Sequence, residues 1–141
     1  MILLDTNVVA ELMRGAPDEA VLRWLDSCAA EDVWIPAVCV MELRHGVALL
    51  PPGRRRNALA ATLDAVLAEE LGGRIAPFDR AAAEAAGTLM ASRRQQGRPV
   101  DLADTMIAGT ALAHRGTLAT RNLRHFADLA VPVVNPFAAH P

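Results

Sequence analysis

The chain begins MILLDTN (residues 1–7), a short apolar run that ends directly at an acid, Asp5. The run predicts a buried strand over residues 2–4. Open sheets of parallel strands place their ligands beyond the carboxyl ends of the strands, so Asp5, Thr6 and Asn7 are candidate functional residues. The other interpretation is that Asp5 or Thr6 only caps a helix that begins near Val8.

Short apolar runs alternate with longer amphipathic ones along the rest of the chain, which is typical of an α/β fold with a central parallel sheet flanked by helices. The pattern predicts strands at residues 2–4, 33–35, 75–78, 117–120 and 131–134. It predicts helices at residues 8–14, 18–28, 38–50, 54–71, 80–96 and 102–115. No linker or repeat divides the sequence, so we expect a single domain over residues 1–141, with a core at 1–135 and a C-terminal tail at 136–141.

Composition excludes several classes of protein. The 141 residues are 52% apolar and 21% charged, unlike a disordered chain, and the net charge of −2 argues against a protein that coats nucleic acid by bulk electrostatics. No signal peptide is recognisable, and the longest uncharged apolar stretch, residues 33–41, is too short to span a bilayer. These features predict a soluble cytoplasmic protein. Cys28 and Cys39 are interpreted as small buried hydrophobic residues.

Two further acids lie in segments that otherwise look core-forming. Glu42 belongs to a helix that is apolar almost all round, with an exposed salt bridge to Arg44 or Arg14 as the competing explanation. Asp104 shares a helix face with apolar residues three, four and seven positions later, which directs its carboxylate inward. Asp101, one turn earlier, is explained well by a helix N-cap.

Asp5, Glu42 and Asp104 come from distant parts of the chain, and each has a structural explanation when taken alone. If the fold brings them together, their like charges require a cation. Oxygen ligands select Mg²⁺ or Mn²⁺ rather than zinc, and the four scattered histidines, interpreted as structural or surface groups, offer no zinc site.

The segment TRNLRHF (residues 120–126) follows a predicted strand and therefore belongs to the same edge of the sheet. Arg121 and Arg124 could hold a phosphate there, and Asn122 could contact a water molecule on the metal. A polar loop capped by Asn122 is the structural alternative.

Several motifs, in this order and at this spacing, resemble the PIN-domain ribonucleases, and the resemblance is closest to the FitB-like group of VapC toxins of type II toxin–antitoxin modules. The motifs are LDTN (4–7), MEL (41–43), DLAD (101–104), ATRN (119–122), and also GRIAPFD (73–79) and NPF (135–137). The resemblance implies a PIN domain that hydrolyses RNA with Mg²⁺ or Mn²⁺ and is inhibited by a cognate VapB/FitA-like antitoxin. It also implies a homodimer that meets operator DNA only through the antitoxin.

Carried over to this chain, the family pattern makes Asp5, Glu42 and Asp104 the catalytic and metal-binding acids. The hypothesis is that one ion bridges Asp5 and Asp104, while Glu42 either orients the attacking water or completes the coordination of the ion. Thr6, Asn7, Asp101, Arg121 and Asn122 would support the site or bind substrate. The group often has Asp where this chain has Asn122, which removes one charge and puts a tight second metal in doubt.

Two other functions fit parts of the pattern. A catalytically silent PIN-fold binding module would keep the fold and only sequester an antitoxin or RNA. A phosphatase of the haloacid dehalogenase type also places an acid after the first strand, but it normally has a second Asp where this chain has Asn7.

Overall fold

A computed structural model describes residues 1–137 as a five-stranded parallel sheet with six α-helices around it. The strands are β1 (Ile2–Leu4), β2 (Val33–Pro36), β3 (Ile75–Ala76), β4 (Thr117–Ala119) and β5 (Val133–Val134). The helices are α1 (Thr6–Leu12), α2 (Glu19–Asp26), α3 (Ala37–Ala48), α4 (Arg54–Ala65), α5 (Arg80–Gln95) and α6 (Leu102–His114). The predicted α/β class is confirmed. The predicted tail at residues 136–141 lies mostly outside the described residues.

The sheet has the strand order β3-β2-β1-β4-β5, which puts β1 at its centre. In β1, Ile2 pairs with Val33 on one side and with Thr117 on the other. Because all strands run the same way, the segments that follow β1, β2 and β4 emerge at one edge of the sheet. That edge therefore receives Asp5, the start of α3 and residue Thr120.

Several elements are shorter than the sequence predicted. β3 ends at Ala76 because Pro77 has no N–H to donate to a neighbouring strand. The helix predicted over residues 54–71 is α-helical only to Ala65 and finishes in a π-helical turn, Val66–Glu70. It stops before Gly72 and Gly73, whose φ angles of 54° and 72° are left-handed.

The core lies between the sheet and its helices. Its largest fully buried side chains include Leu3 and Leu4 from β1, Ile35 from β2, Ile107 from α6 and Phe126. Helix α1 begins at Thr6, two residues earlier than predicted, since Asp5 caps it directly. Within residues 1–137, none of the helices combines the length and apolarity needed to cross a membrane.

Helices α5 and α6 pack unusually closely at Gly109. A Cβ atom at this position would lie 2.6 Å from the backbone oxygen of Ala82 and 2.6 Å from Cβ of Ala86. Only a residue without a side chain permits this approach. The contact sets how α6, which carries Asp104, lies against α5.

Candidate active site

Asp5 lies at the carboxyl end of β1 and is 97% buried, with only 3% of its surface exposed. Its Oδ1 accepts a hydrogen bond from the Thr6 backbone N–H at 2.7 Å, as an N-cap does. Its Oδ2 accepts from Thr120 Oγ1 at 2.7 Å and from Asn7 Nδ2 at 3.2 Å. Burial raises the pKa of this carboxyl, and the charge of Asp104 raises it further, against the lowering effect of the hydrogen bonds. The capping interpretation is therefore correct but incomplete, because a cap does not require a buried charge.

Glu42 lies on α3 and is held by Thr6 from the first turn of α1. Thr6 Oγ1 donates to Glu42 Oε1 at 2.7 Å. The competing salt-bridge explanation is wrong, since Arg44 pairs with Asp64 at 2.7 Å and Arg14 pairs with Glu11 at 2.9 Å. Glu42 is thus a partly buried acid whose hydrogen bond leads back to the segment that carries Asp5.

Asp104 lies in the first turn of α6 with 21% of its side chain exposed. Its Oδ2 is 2.8 Å from Nδ1 of His125. Partial burial raises the pKa of Asp104, and the charges of Asp101 and Glu42 raise it further, while His125 lowers it. Asp101 is exposed and caps α6, accepting from the Asp104 N–H at 2.9 Å, so the capping interpretation of Asp101 describes its contact here.

The three acids influence one another electrostatically, which places them in one neighbourhood. Among residues 1–137, however, no three His, Cys, Asp or Glu side chains are arranged to hold one metal ion together. Mg²⁺ commonly binds through only one or two carboxylates and retains several water molecules. A site with Asp5 and Asp104 as oxygen donors and raised carboxyl pKa values fits such an ion, because positive charge would relieve both the burial cost and the repulsion.

The loop after β4 joins this neighbourhood through its backbone. The Arg121 N–H donates to Asn7 Oδ1 at 3.1 Å. The Arg121 guanidinium lies over the ring of Phe137, 3.7 Å from its centroid, and 4.0 Å from Glu11 Oε1. Asn122 is exposed, and its side chain does not cap the 3₁₀ turn that follows. The side chain of Arg121 therefore contacts Phe137 and Glu11 rather than the three acids, and Asn122 is exposed to solvent.

Sequence reasoning missed two residues that touch the acids directly. Thr120 is fully buried and donates to Asp5, and its position directly after β4 was the available signal. His125 was interpreted as a structural or surface group, but it contacts Asp104 across 21 positions of sequence. No spacing rule links those two residues, because the contact depends on how the loop folds over α6.

A buried ion pair supports the same loop and was also missed. The Arg93 side chain is only 4% exposed, donates twice to the carboxylate of Asp128 at 2.9 Å and reaches the backbone oxygen of His125 at 2.9 Å. It also lies 3.3 Å from Thr105 Oγ1 on α6. Arg93 follows the buried residues Ala86 and Ala82 by seven and eleven positions, so it lies on the same inward face of α5. This helical spacing was the signal in the sequence for its burial.

Two clefts each include one of the proposed acids in their lining. The first is an apolar groove that includes Glu42 in its lining, together with Met13, Arg14, Leu43, Val47, Leu50, Arg55 and Leu59. The second is a polar cleft, lined by Arg93, Arg98, Pro99, Asp101, Asp104, Arg124 and His125. One proposed acid thus faces each cleft.

Comparison with known proteins places this arrangement in a family. Residues 2–132 match the family described as the PIN domain. The chain is 42% identical over 137 residues to the toxin FitB of Neisseria gonorrhoeae, covering 97% of this chain and 99% of that protein. It is 39% identical over 137 residues to VapC ribonuclease Y4jK of Sinorhizobium fredii, covering 97% of this chain and 98% of the relative.

The fold is also similar to that of solved structures. The crystal structure of FitAcB from Neisseria gonorrhoeae superimposes with a TM-score of 0.85 at 43% identity, covering 96% of this chain and 98% of that one. The structure of FitAB bound to the IR36 DNA fragment superimposes with a TM-score of 0.87 at 40% identity, covering 100% and 99% of the two chains. The resemblance recognised in the sequence is confirmed: the chain belongs to the PIN-domain family, in the group that contains the FitB and VapC toxins.

Proposed function

We propose that this protein is the toxin subunit of a type II toxin–antitoxin pair and acts as a Mg²⁺- or Mn²⁺-dependent endoribonuclease. Its similarity to FitB and to VapC ribonuclease Y4jK over nearly the whole chain supports this proposal. The observation that carries the chemistry is the buried carboxylate of Asp5. Burial and the charge of Asp104 raise its pKa, and within residues 1–137 no cationic side chain donates a hydrogen bond to it.

A divalent ion bound at the acids would polarise a phosphodiester oxygen and lower the pKa of a water molecule. The chain's own side chains prepare that site. Thr120 and Asn7 hold Oδ2 of Asp5, Thr6 fixes Glu42, and His125 contacts Asp104. Oriented supporting hydrogen bonds of this kind commonly affect metal affinity and activity by about 10- to 100-fold.

The proposed partner is a VapB/FitA-like antitoxin, because the related toxins were crystallised as FitAB and VapBC complexes. The apolar groove is the surface on this chain that suits such a partner. Since Glu42 lines that groove, a segment bound there would lie next to the proposed catalytic acids. Contact with operator DNA would then come through the antitoxin, and homodimerisation stays an expectation from the family resemblance.

The test uses purified full-length protein, free of antitoxin, with a mixed RNA pool in Mg²⁺ or Mn²⁺. We expect cleavage that EDTA abolishes and that Asp104→Asn reduces by at least roughly 100-fold. Glu84→Gln is the matched control, since Glu84 is an exposed acid on α5 that, among residues 1–137, pairs with Arg80 alone. Equal cleavage by wild type and Asp104→Asn would overturn the assignment of the site.

The catalytically silent binding module is the second candidate. Two observations favour it: Asn122 stands where the related group often has Asp, and no three metal-ligating side chains converge within residues 1–137. Such a module would neither cleave RNA nor bind Mn²⁺ in calorimetry. The dehalogenase-type phosphatase has no support from the PIN-domain match.

A further inference from the structure

The polar cleft beside Asp104 brings together three arginines, Arg93, Arg98 and Arg124, and two acids, Asp101 and Asp104. Arg93 and Arg98 both pair with the same carboxylate, Asp128, at 2.9 and 3.0 Å. One of their two charges is therefore left uncompensated by that acid. Arg124, in the same lining, is exposed and forms no ion pair within residues 1–137.

Contacts of the buried Arg93 side chain fix the elements that form the polar cleft. Arg93 joins α5 to the loop through the backbone oxygen of His125 and to α6 through Thr105 Oγ1. His125 in turn contacts Asp104. Arg93 therefore fixes α5, α6 and the loop to one another, and these segments carry or adjoin Arg98, Asp104 and Arg124. A ligand would meet a preformed surface.

The apolar groove that contains Glu42 offers a different environment. Besides Arg14 and Arg55, its lining includes Met13, Leu43, Val47, Leu50 and Leu59, and most of its surface is apolar, so it suits a protein segment better than a polyanion. Of the two arginines that the sequence suggested could hold phosphate, Arg121 is stacked on Phe137 and lies near Glu11, whereas Arg124 lines the polar cleft. Arg98 and Arg124 are therefore the cations best placed beside Asp104.

We propose that the cleft lined by Arg98, Arg124 and His125 is a phosphate-binding subsite that receives the RNA strand on the Asp104 side of the scissile bond. This inference rests on the proposed ribonuclease function and adds the path of the substrate to it. Because the chain has a net charge of −2, a polyanion requires such local positive charge to approach three carboxylates. Arg124 is the exposed arginine of this cleft that forms no ion pair within residues 1–137, so its guanidinium is available to a phosphate.

The experiment measures binding of a short fluorescein-labelled single-stranded RNA of random sequence to the full chain, by anisotropy in EDTA over a range of KCl concentrations. We expect Arg124→Gln to weaken binding about threefold to tenfold, as the loss of one exposed charge-assisted contact does. The slope of log K against log salt should become flatter by about 0.7, the contribution of one phosphate contact to single-stranded RNA. Arg124→Lys keeps the charge and should restore the slope.

Arg80→Gln is the matched control, since Arg80 is an exposed arginine at the opposite end of α5 and pairs only with Glu84. It should bind RNA as wild type does. Steady-state cleavage of the same RNA in Mn²⁺ gives a second readout, in which Arg124→Gln should raise KM by a similar factor and leave kcat nearly unchanged.

The outcomes separate this inference from the function on which it rests. Cleavage by wild type together with unchanged KM and salt slope in Arg124→Gln would overturn the subsite alone. Equal weakening by Arg80→Gln would also overturn it, because the effect would then reflect total charge. A wild-type protein that neither binds nor cleaves the RNA would overturn the proposed function and the subsite with it.

Discussion

Charged side chains in the interior of this protein are of two kinds. Asp5 and Asp104 are buried or half-buried next to other acids, and burial raises the pKa of both. Arg93 is buried and pairs with Asp128, whose side chain is 18% exposed, and the hydrogen bond from Arg93 lowers the pKa of Asp128. Acids of the first kind cost stability when they carry unpaired charge, whereas the ion pair holds the loop that carries His125.

Asp104→Asn should stabilise the metal-free protein at neutral pH. A carboxyl pKa that is raised on folding means that the folded state binds the proton more tightly, so wild-type stability declines as pH rises from 3.8 through the folded pKa. Because Asn carries no charge, the variant does not show this decline. Its free energy of unfolding at neutral pH should exceed that of wild type by less than about 1 kcal/mol, since the group is partly solvated. Urea unfolding in EDTA at acidic and neutral pH measures the difference. A variant less stable than wild type at neutral pH would contradict this account.

Arg93→Met should lower the free energy of unfolding by roughly 3 kcal/mol, because it leaves a largely buried carboxylate and a backbone oxygen without their donor. The neighbouring Arg94 is exposed, so Arg94→Met is the control and should change stability by less than about 0.5 kcal/mol. Since the pKa of Asp128 is lowered on folding, the difference between wild type and Arg93→Met should shrink as pH falls from 3.8 through the folded pKa. Urea unfolding at several pH values tests both parts, and equal losses in the two variants would count against the buried pair.

At the scale of elements, the contact between α5 and α6 positions the helix that carries Asp104. Gly109 on α6 meets the backbone of α5 directly, and Ala82 and Ala86 complete the contact. Both helices begin with an aspartate N-cap, Asp79 on α5 and Asp101 on α6. Local capping therefore starts the helices, while the small residues determine how closely they pack.

Gly109→Ala should destabilise the protein by about 1–3 kcal/mol, since its Cβ would be 2.6 Å from a backbone oxygen that has little freedom to move. Gly87→Ala on α5 is the matched control. Nothing lies within 4 Å of a Cβ at Gly87, so that substitution should stabilise the helix by about 0.5–1 kcal/mol. Thermal unfolding of both variants checks the opposite signs, and a loss of stability of the same size in each would contradict the close-packing explanation.

At the scale of the whole molecule, a parallel sheet collects residues that are far apart in sequence. Asp5 follows β1 and Thr120 follows β4, while Glu42 lies on α3 and Asp104 in the first turn of α6. Their side chains are nevertheless linked through hydrogen bonds and charge. Two clefts of different character include members of this cluster in their lining, an apolar groove with Glu42 and a polar cleft with Asp104.

Mn²⁺ should raise the unfolding temperature of the wild-type protein, because a ligand that binds only the folded state stabilises it, by about 2.7 kcal/mol at 100 times its dissociation constant. Asp104→Asn should lose most of this gain, while Glu84→Gln should keep it. Differential scanning calorimetry with and without Mn²⁺ gives the measurement. A gain of equal size in Asp104→Asn and wild type would place the ion elsewhere.

The sequence by itself determined the α/β class, the approximate positions of the five strands and six helices, and the family, and it proposed the three acids as a site. These depend on local signals: apolar periodicity, glycine and proline at the ends of elements, and ordered motifs. At Pro77, which lacks an N–H, and at Gly72, which has a left-handed φ, the local residue explains where β3 and the π-helical turn end.

Only the tertiary structure decided which side chains meet. The contact of Asp104 with His125, the buried pair of Arg93 and Asp128, and the stacking of Arg121 on Phe137 join residues that are 16 to 35 positions apart. No periodicity encodes such contacts, because they arise from the packing of a loop against two helices. The sequence indicated which residues are chemically capable, and the packed chain determined which of them face one another, since burial and charge depend on three-dimensional neighbours.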